Sequence, residues 1–179
     1  MSHGIASSTL RDFLAMTQKN NFIMATHTHQ HKQVKDIFTK PVLDKIAATI
    51  AQVETGTSAG IRVCIREERD HDEAGLSIED IAKREFLKLG MEKTIGRNGI
   101  LLFILFEEHK YYIYGDEGIH TRVHPETWTD VAATLGEHFK HAHYEEGIHD
   151  ALRKILSHVH TAFAPTGGAS ELSNEVVIG

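Results

Sequence analysis

Two apolar runs in the middle of the chain predict a β-hairpin. Residues 100–106 form an unbroken apolar run, which is typical of a strand buried on both faces. The polar residues 107–110 separate this run from residues 111–114, which are aromatic or β-branched. Because the connection is short, we expect the two strands to pair antiparallel. The rest of the predicted fold is organised around this hairpin.

The residues before the hairpin predict a strand and a helix that complete a crossover. Apolar residues recur at helical spacing between residues 39 and 54, and residues 61–65 alternate as a strand. Ser77 and Asp80 form a near match to a capping box and open a helix that ends at Gly90. A strand, a helix and a strand in this order predict a right-handed crossover, so that residues 61–65 run parallel to residues 100–106.

Two further helical patterns and a short tail follow the hairpin. The apolar positions predict helices over residues 125–139 and 145–159, and residues 174–178 are expected to form a last strand or a surface tail. The predicted fold is therefore α/β, a three-layer α/β/α sandwich around a mixed central sheet of mainly four to five strands. We assign residues 37–179 to this single domain.

Residues 1–36 are predicted to be an N-terminal extension. They carry an amphipathic pattern that predicts a short helix over residues 7–22, and a tract with alternate histidines at residues 26–31. A solvated linker and a mobile metal-binding tract both account for the histidines. One functional hypothesis is therefore that the histidine-rich N-terminus is the functional part of the protein and that the domain serves as its scaffold.

Composition narrows the classes of function. Lys plus Arg total 19 against 25 for Asp plus Glu, without a basic cluster, so we expect no nucleic-acid partner. The single Cys64 excludes an internal disulfide and is read as a small buried thiol. No run is long enough for a membrane span, and no secretory signal is recognisable, so we expect a cytoplasmic protein. A monomer or weak homo-oligomer with an unknown protein partner fits this composition.

Acidic residues at one edge of the sheet form the candidate metal site. Glu54 precedes the first strand and Asp116 follows the return strand, which places both on the side opposite to Glu107 and Glu108 in the hairpin turn. Calcium takes six to eight oxygen ligands, and an acidic turn with glycines offers carboxylates and carbonyls. The predicted metal ligands are Glu54, Asp116 and Glu117, with calcium expected ahead of magnesium or zinc. The alternative is that these acidic turns are merely solvated.

The sequence gives weaker indications of zinc binding, of anion binding and of catalysis. His138, His141 and His143 cluster near a helix end and suggest zinc, but histidines also favour helix C-termini for electrostatic reasons. Arg97 is expected to form a structural ion pair in preference to binding an anion. No nucleophile elbow or phosphate-binding glycine loop is present, so catalytic residues are unknown and no organic cofactor is expected.

The order of four short motifs resembles the TPM domain family, whose members include thylakoid lumen, photosystem II repair and receptor-modulator proteins. The motifs are Glu54-Thr55-Gly56-Thr57-Ser58, Arg97-Asn98-Gly99-Ile100-Leu101, Glu107-Glu108-His109-Lys110 and Gly115-Asp116-Glu117-Gly118-Ile119. Similar segments continue to the tail, so the resemblance covers residues 38–178 and is closest to stand-alone bacterial members. It implies an α/β/α sandwich, a divalent cation held by acidic loops, and acid phosphatase activity in one branch.

Two departures from the family pattern affect the functional expectation. Asp36 is the only substitute for an acidic ligand before the first long helix, and only His109 or Lys110 replaces the basic residue of the hairpin turn. We therefore expect a stand-alone TPM-like domain that binds a divalent cation and acts as an interaction or adaptor module. A metal-assisted acid phosphatase, a phosphomonoesterase, is the alternative, and whether the protein is an enzyme stays open.

Overall fold

The structure, a computed structural model, describes residues 33–167 and 171–179. The predicted helix at residues 7–22 and the histidine tract at residues 26–31 lie outside the described residues. The described helices are α1 (Val34–Ile37), α2 (Lys40–Glu54), α3 (Ile78–Lys88), α4 (Glu117–His120), α5 (Pro125–Lys140) and α6 (Tyr144–Val159). The described strands are β1 (Gly60–Arg66), β2 (Gly99–Leu105), β3 (Lys110–Gly115) and β4 (Val177–Ile178).

The four strands form one mixed sheet in the order β3-β2-β1-β4. β2 pairs antiparallel with β3, which confirms the predicted hairpin. β1 pairs parallel with β2, as the crossover through α3 requires. The tail forms the fourth strand, because Cys64 and Ile65 of β1 lie opposite Val177 and Ile178 in a parallel register.

Helices cover both faces of the sheet, as the predicted sandwich requires. Tyr111 and Tyr114 of β3 point to opposite faces because they are an odd number of residues apart in a strand. The Tyr111 hydroxyl donates to the Ala132 carbonyl of α5 at 2.7 Å, and the Tyr114 ring centre lies 4.7 Å from that of Phe86 on α3. All seven residues of β2 are buried between these layers.

Local sequence signals account for the helix boundaries. The Ser77 hydroxyl accepts a hydrogen bond from the Asp80 backbone N–H at 3.1 Å, so the predicted capping box begins α3. Gly90 follows the helix with φ of 67°, a left-handed conformation that glycine adopts without strain. The main chain then turns back toward β2.

Val34 on α1 is buried in the core, and the predicted domain start at residue 37 stays a prediction. Within residues 33–167 and 171–179, none of the helices combines the length and the apolar character needed to cross a membrane.

A buried ion pair fixes the loop that leaves β1. Arg66 donates to both carboxylate oxygens of Glu73, at 3.0 and 2.8 Å, and Glu85 lies 3.9 Å away. Burial alone would raise the pKa of Glu73, but the hydrogen bonds from Arg66 and from the Asp70 backbone lower it overall. The loop at the carboxyl end of β1 is therefore anchored by charge, and it is not available as an open acidic site.

Gly118 on α4 lies against the segment that leads into β2. A Cβ atom built at Gly118 would lie 2.3 Å from the Gly96 carbonyl oxygen and 2.7 Å from that of Arg97. The Gly118 backbone N–H donates to the Arg97 carbonyl at 2.8 Å. Only glycine permits this approach, which joins the end of the hairpin to the start of β2.

The substitution Gly118→Ala is expected to destabilise the fold by about 1–3 kcal/mol, because the methyl group overlaps main-chain atoms that cannot rotate away. Gly56→Ala is the matched control, since its Cβ would contact the mobile end of Leu156 at 2.9 Å. Urea unfolding of both variants measures the difference. Equal losses of unfolding free energy would contradict the close backbone approach at Gly118.

Candidate functional site

Asp116 is the most deeply buried of the predicted metal ligands, with 3% of its surface exposed. Arg97 holds both carboxylate oxygens: Nε donates to Oδ2 at 2.6 Å and Nη2 donates to Oδ1 at 2.7 Å. The Glu117 backbone N–H also donates to Oδ1, at 2.8 Å. The prediction that Arg97 forms a structural ion pair is confirmed, and its partner is one of the proposed ligands.

Of the other two predicted ligands, Glu117 contacts Asp116 through its backbone N–H, and Glu54 has a separate partner. Glu54 ends α2, and its Oε1 accepts a hydrogen bond from the Ile61 backbone N–H at 2.8 Å. Glu117 is exposed on α4. Asp36, the doubtful substitute ligand, is exposed on α1, a helix that begins beside Glu67 at the opposite edge of the sheet. The structure therefore gives Glu54 and Asp116 separate partners.

These donors do not fit a calcium ion as they are placed. No group of three or more His, Cys, Asp or Glu side chains in the described parts of the chain is arranged to hold a metal. Calcium requires six to eight oxygens, and the guanidinium of Arg97 already occupies the open side of the Asp116 carboxylate. Calcium at Glu54, Asp116 and Glu117 stays a prediction, and it would require Arg97 to leave its partner.

A cleft of about 590 Å³ opens at the amino ends of β1 and β2. Glu54 lines this cleft, but Asp116 and Glu117 do not. Arg122 and Phe163 both line it, and the Arg122 guanidinium lies over the Phe163 ring, with its carbon 5.2 Å from the centre of the ring. A guanidinium over an aromatic face is held by a cation–π interaction, which leaves its N–H groups free to donate sideways.

Main-chain hydrogen bonds hold the floor of the cleft in place. The Thr57 hydroxyl and the Ser58 backbone N–H both donate to the Phe163 carbonyl, at 2.7 and 2.9 Å. The Asn98 side-chain amide donates to the Ser58 carbonyl at 2.5 Å. Phe163 is thus tied to the turn before β1, and that turn is tied to the residue before β2.

A second carboxylate and an exposed apolar side chain form the rim of the cleft. Glu171 accepts a hydrogen bond on Oε2 from the Ile95 backbone N–H at 3.0 Å. The Ile95 side chain is 92% exposed, although large apolar side chains are usually buried. The cleft therefore combines a guanidinium, two carboxylates and an apolar rim.

The opposite edge of the sheet carries a closed charge cluster. Arg69 donates to both carboxylate oxygens of Glu108, one of them at 2.6 Å, and Lys110 donates to the same carboxylate at 2.8 Å. The hydrogen bonds from Arg69, followed by those from Lys110, lower the pKa of Glu108 to about 2. Glu107, its neighbour, is exposed. The hairpin turn is thus cross-linked to the loop after β1 by paired charges.

The histidines near the end of α5 do not form a metal site in the described residues. His138 Nε2 lies 3.0 Å from Asp150 Oδ2, and the ring centres of His138 and His141 lie 6.4 and 6.1 Å from that of His143. No three-ligand arrangement results among the residues that the structure describes. Zinc at this place stays a prediction.

Three residues of the cleft were not among the predicted site residues. Arg122, Phe163 and Glu171 are far apart in the sequence, and none belongs to a motif with chemical spacing. Arg122 follows the Gly-Asp-Glu-Gly turn by only four residues, which is the one signal that could have drawn attention to it. Their proximity depends on the docking of α6 and the tail against the turn before β1.

Comparisons with known proteins agree with this architecture. A sequence model of the TPM domain matches residues 32–157. The fold is similar to the solution structure of the BA42 protein from the psychrophilic bacterium Bizionia argentinensis, with a TM-score of 0.74 and 25% sequence identity. That match covers 82% of this chain and 99% of the other. No curated protein matches the sequence.

The low pKa of Glu108 predicts acid-sensitive stability. A carboxylate whose pKa falls from 4.5 in the unfolded chain to about 2 in the folded protein stabilises the fold above pH 4.5, and this contribution is lost as the pH falls toward 2. Because Glu108 is partly exposed, we expect Glu108→Gln to lower the unfolding free energy at pH 7 by on the order of 1–2 kcal/mol.

Chemical unfolding at pH 7 and at pH 3 tests this expectation. The difference between wild type and Glu108→Gln should shrink at pH 3. Glu107→Gln is the control, because Glu107 is exposed in the same turn and should change stability little at either pH. A Glu108→Gln loss that does not depend on pH would contradict the lowered pKa.

Proposed function

The chain belongs to the TPM domain family, and from that premise we propose that it is an interaction module that holds an oxyanion of its partner in the cleft at the amino ends of β1 and β2. Family membership supports a TPM-type module, and the cleft supplies a place where such a module can bind. The oxyanion is a phosphate or a carboxylate, the two groups that a guanidinium recognises through paired hydrogen bonds.

The observation that carries the proposal is the set of contacts that Arg122 makes. Five other arginines of the described residues pair with carboxylates, namely Arg66, Arg69, Arg84, Arg97 and Arg153, and Arg62 donates to the Ser173 carbonyl at 3.1 Å. Arg122 lies over the Phe163 ring, and it forms no ion pair with a carboxylate of the described chain. A guanidinium that is held by an aromatic platform and has no internal counter-ion is prepared to bind an external anion.

The surroundings of Arg122 restrict the ligand further. Glu54 and Glu171 line the same cleft, so a ligand that carries further negative groups besides the oxyanion held by Arg122 would be repelled. A suitable partner combines one oxyanion with hydrogen-bond donors or a positive group, and it offers an apolar surface to Ile95. A peptide or protein partner has this mixed character, which supports an adaptor role over the binding of a simple ion.

The predicted calcium site at Glu54, Asp116 and Glu117 shares only Glu54 with this cleft. Glu54 and Glu171 are carboxylates of this cleft, whereas Asp116 is paired with Arg97 outside it. Two carboxylates fall short of the ligand count of a strong calcium site. We therefore propose oxyanion binding, in preference to calcium binding, as the role of this cleft.

A phosphomonoesterase is the second candidate, and the combination of Arg122, Ser58 and Glu54 in one cleft supports it. Arg122 is suited to holding the phosphoryl oxygens, since a fixed guanidinium stabilises charge that develops during phosphoryl transfer. Glu54 is the acid–base candidate because its carboxylate lines the cleft. A phosphomonoesterase differs from an adaptor in that it turns over a phosphate ester, and this turnover is simple to measure.

We expect Arg122→Ala to weaken the binding of phenyl phosphate by roughly 10–100-fold, because a charge-assisted hydrogen-bonded contact is lost. Amide shifts of Ser58 and Asn98 in NMR titrations report on the cleft. Benzoate, which carries a carboxylate on the same ring, distinguishes the two oxyanions. Arg153→Ala is the matched control, since Arg153 is an exposed arginine of α6 that pairs with Asp150. Binding that is unchanged in Arg122→Ala would refute the proposed site.

For the enzyme alternative, we expect wild type to release no phenol from phenyl phosphate at pH 5–8, with or without millimolar calcium or magnesium. Turnover that is abolished in both Arg122→Ala and Glu54→Gln would replace the adaptor by a phosphomonoesterase that uses the same cleft. Turnover that persists in both variants would indicate a contaminating phosphatase or another site.

A further inference from the structure

We propose that Arg97 acts as a built-in counter-cation for the Asp116 turn, so that this turn folds without a divalent ion and remains closed to one. The family resemblance implies a cation in the acidic loops, and the donors found here do not fit it. The contacts of Arg97 explain why. This inference does not rest on the proposed function, because Asp116 does not line the cleft that contains Arg122.

The Asp116 carboxylate has few acceptor positions left for a metal. It accepts two hydrogen bonds from Arg97 and one from the Glu117 backbone, and a carboxylate offers about four such positions. Only 3% of Asp116 is exposed, so the remaining position does not face open solvent. A calcium ion would have to bind Asp116 in place of the guanidinium.

The backbone of residue 97 is fixed from both sides, which holds the guanidinium at Asp116. The Arg97 backbone N–H donates to the Thr94 carbonyl at 3.0 Å, and the Arg97 carbonyl accepts from the Gly118 N–H at 2.8 Å. Arg97 has a left-handed φ of 47°, which disfavours residues other than glycine. The backbone hydrogen bonds and the bidentate pair therefore join residue 97 and residues 116–118 in one closed unit.

Electrostatics also favours Arg97 over a divalent cation as the partner of Asp116. A buried carboxylate without a counter-ion is costly, and removing one partner of a buried pair leaves that cost uncompensated. A guanidinium and a divalent cation both meet this need, but they repel each other when they share one carboxylate. Asp116 therefore pairs with either a guanidinium or a divalent cation, and the observed contacts identify Arg97 as its partner.

Calcium titrations of wild type and Arg97→Ala test the inference. In wild type we expect no calcium-dependent shift of the Asp116, Glu117 and Gly118 amide resonances up to about 1 mM, the range of weak calcium modules, and no change of Tm with EDTA. In Arg97→Ala we expect Tm to fall by roughly 3–10 °C, less than for a fully buried pair because half of the Arg97 side chain is exposed. Calcium should then restore part of this loss and shift the same amide resonances.

Two variants serve as controls. Arg97→Lys keeps the positive charge and should show no calcium response, whereas Arg97→Gln keeps hydrogen-bond donors without the charge and should respond as Arg97→Ala does. Calcium shifts at residues 116–118 of wild type would overturn the inference. It would also be overturned if neither Arg97→Ala nor Arg97→Gln gained a calcium response, whether measured as a shift or as recovered folding.

Discussion

The pairing of β2 with a neighbour on each side is the constraint on which the rest of the molecule depends. Every side chain of β2 is buried, so its backbone groups cannot be satisfied by water and need strand partners. The hairpin supplies β3 on one side, and the crossover through α3 supplies β1 on the other. This arrangement brings the starts of β1 and β2 and the end of β3 to one edge, where the candidate site lies.

Arginines determine which acidic residues of this chain are available for binding. Glu73, Glu108 and Asp116 each face an arginine that donates to both carboxylate oxygens. Carboxylates removed from water need such partners, since an unpaired buried charge is strongly unfavourable. One of the three predicted metal ligands, Asp116, therefore stabilises a turn through Arg97, and Glu73 and Glu108 stabilise loops at the opposite edge of the sheet.

The cleft at the amino ends of β1 and β2 differs from these closed pairs because its guanidinium rests on an aromatic ring. Within the described residues, Arg122 forms no ion pair with a carboxylate, while Glu54 and Glu171 each accept a backbone N–H. The cleft thus holds charges of both signs in fixed positions. Such an arrangement is suited to a ligand of mixed charge, in keeping with an interaction module.

The sequence by itself determined the elements and much of their order. The apolar run of β2, the short hairpin and the Ser77–Asp80 capping box are local patterns, and local physics is sufficient to interpret them. The location of Glu54 and Asp116 at the same edge also followed from strand direction, and Arg97 was correctly expected to form an ion pair. Only the tertiary structure decided that the partner of Arg97 is Asp116 and that Arg122 lies over Phe163. These pairings join residues 19 and 41 positions apart, and they depend on how turns and helix ends dock, which no periodicity in the chain encodes.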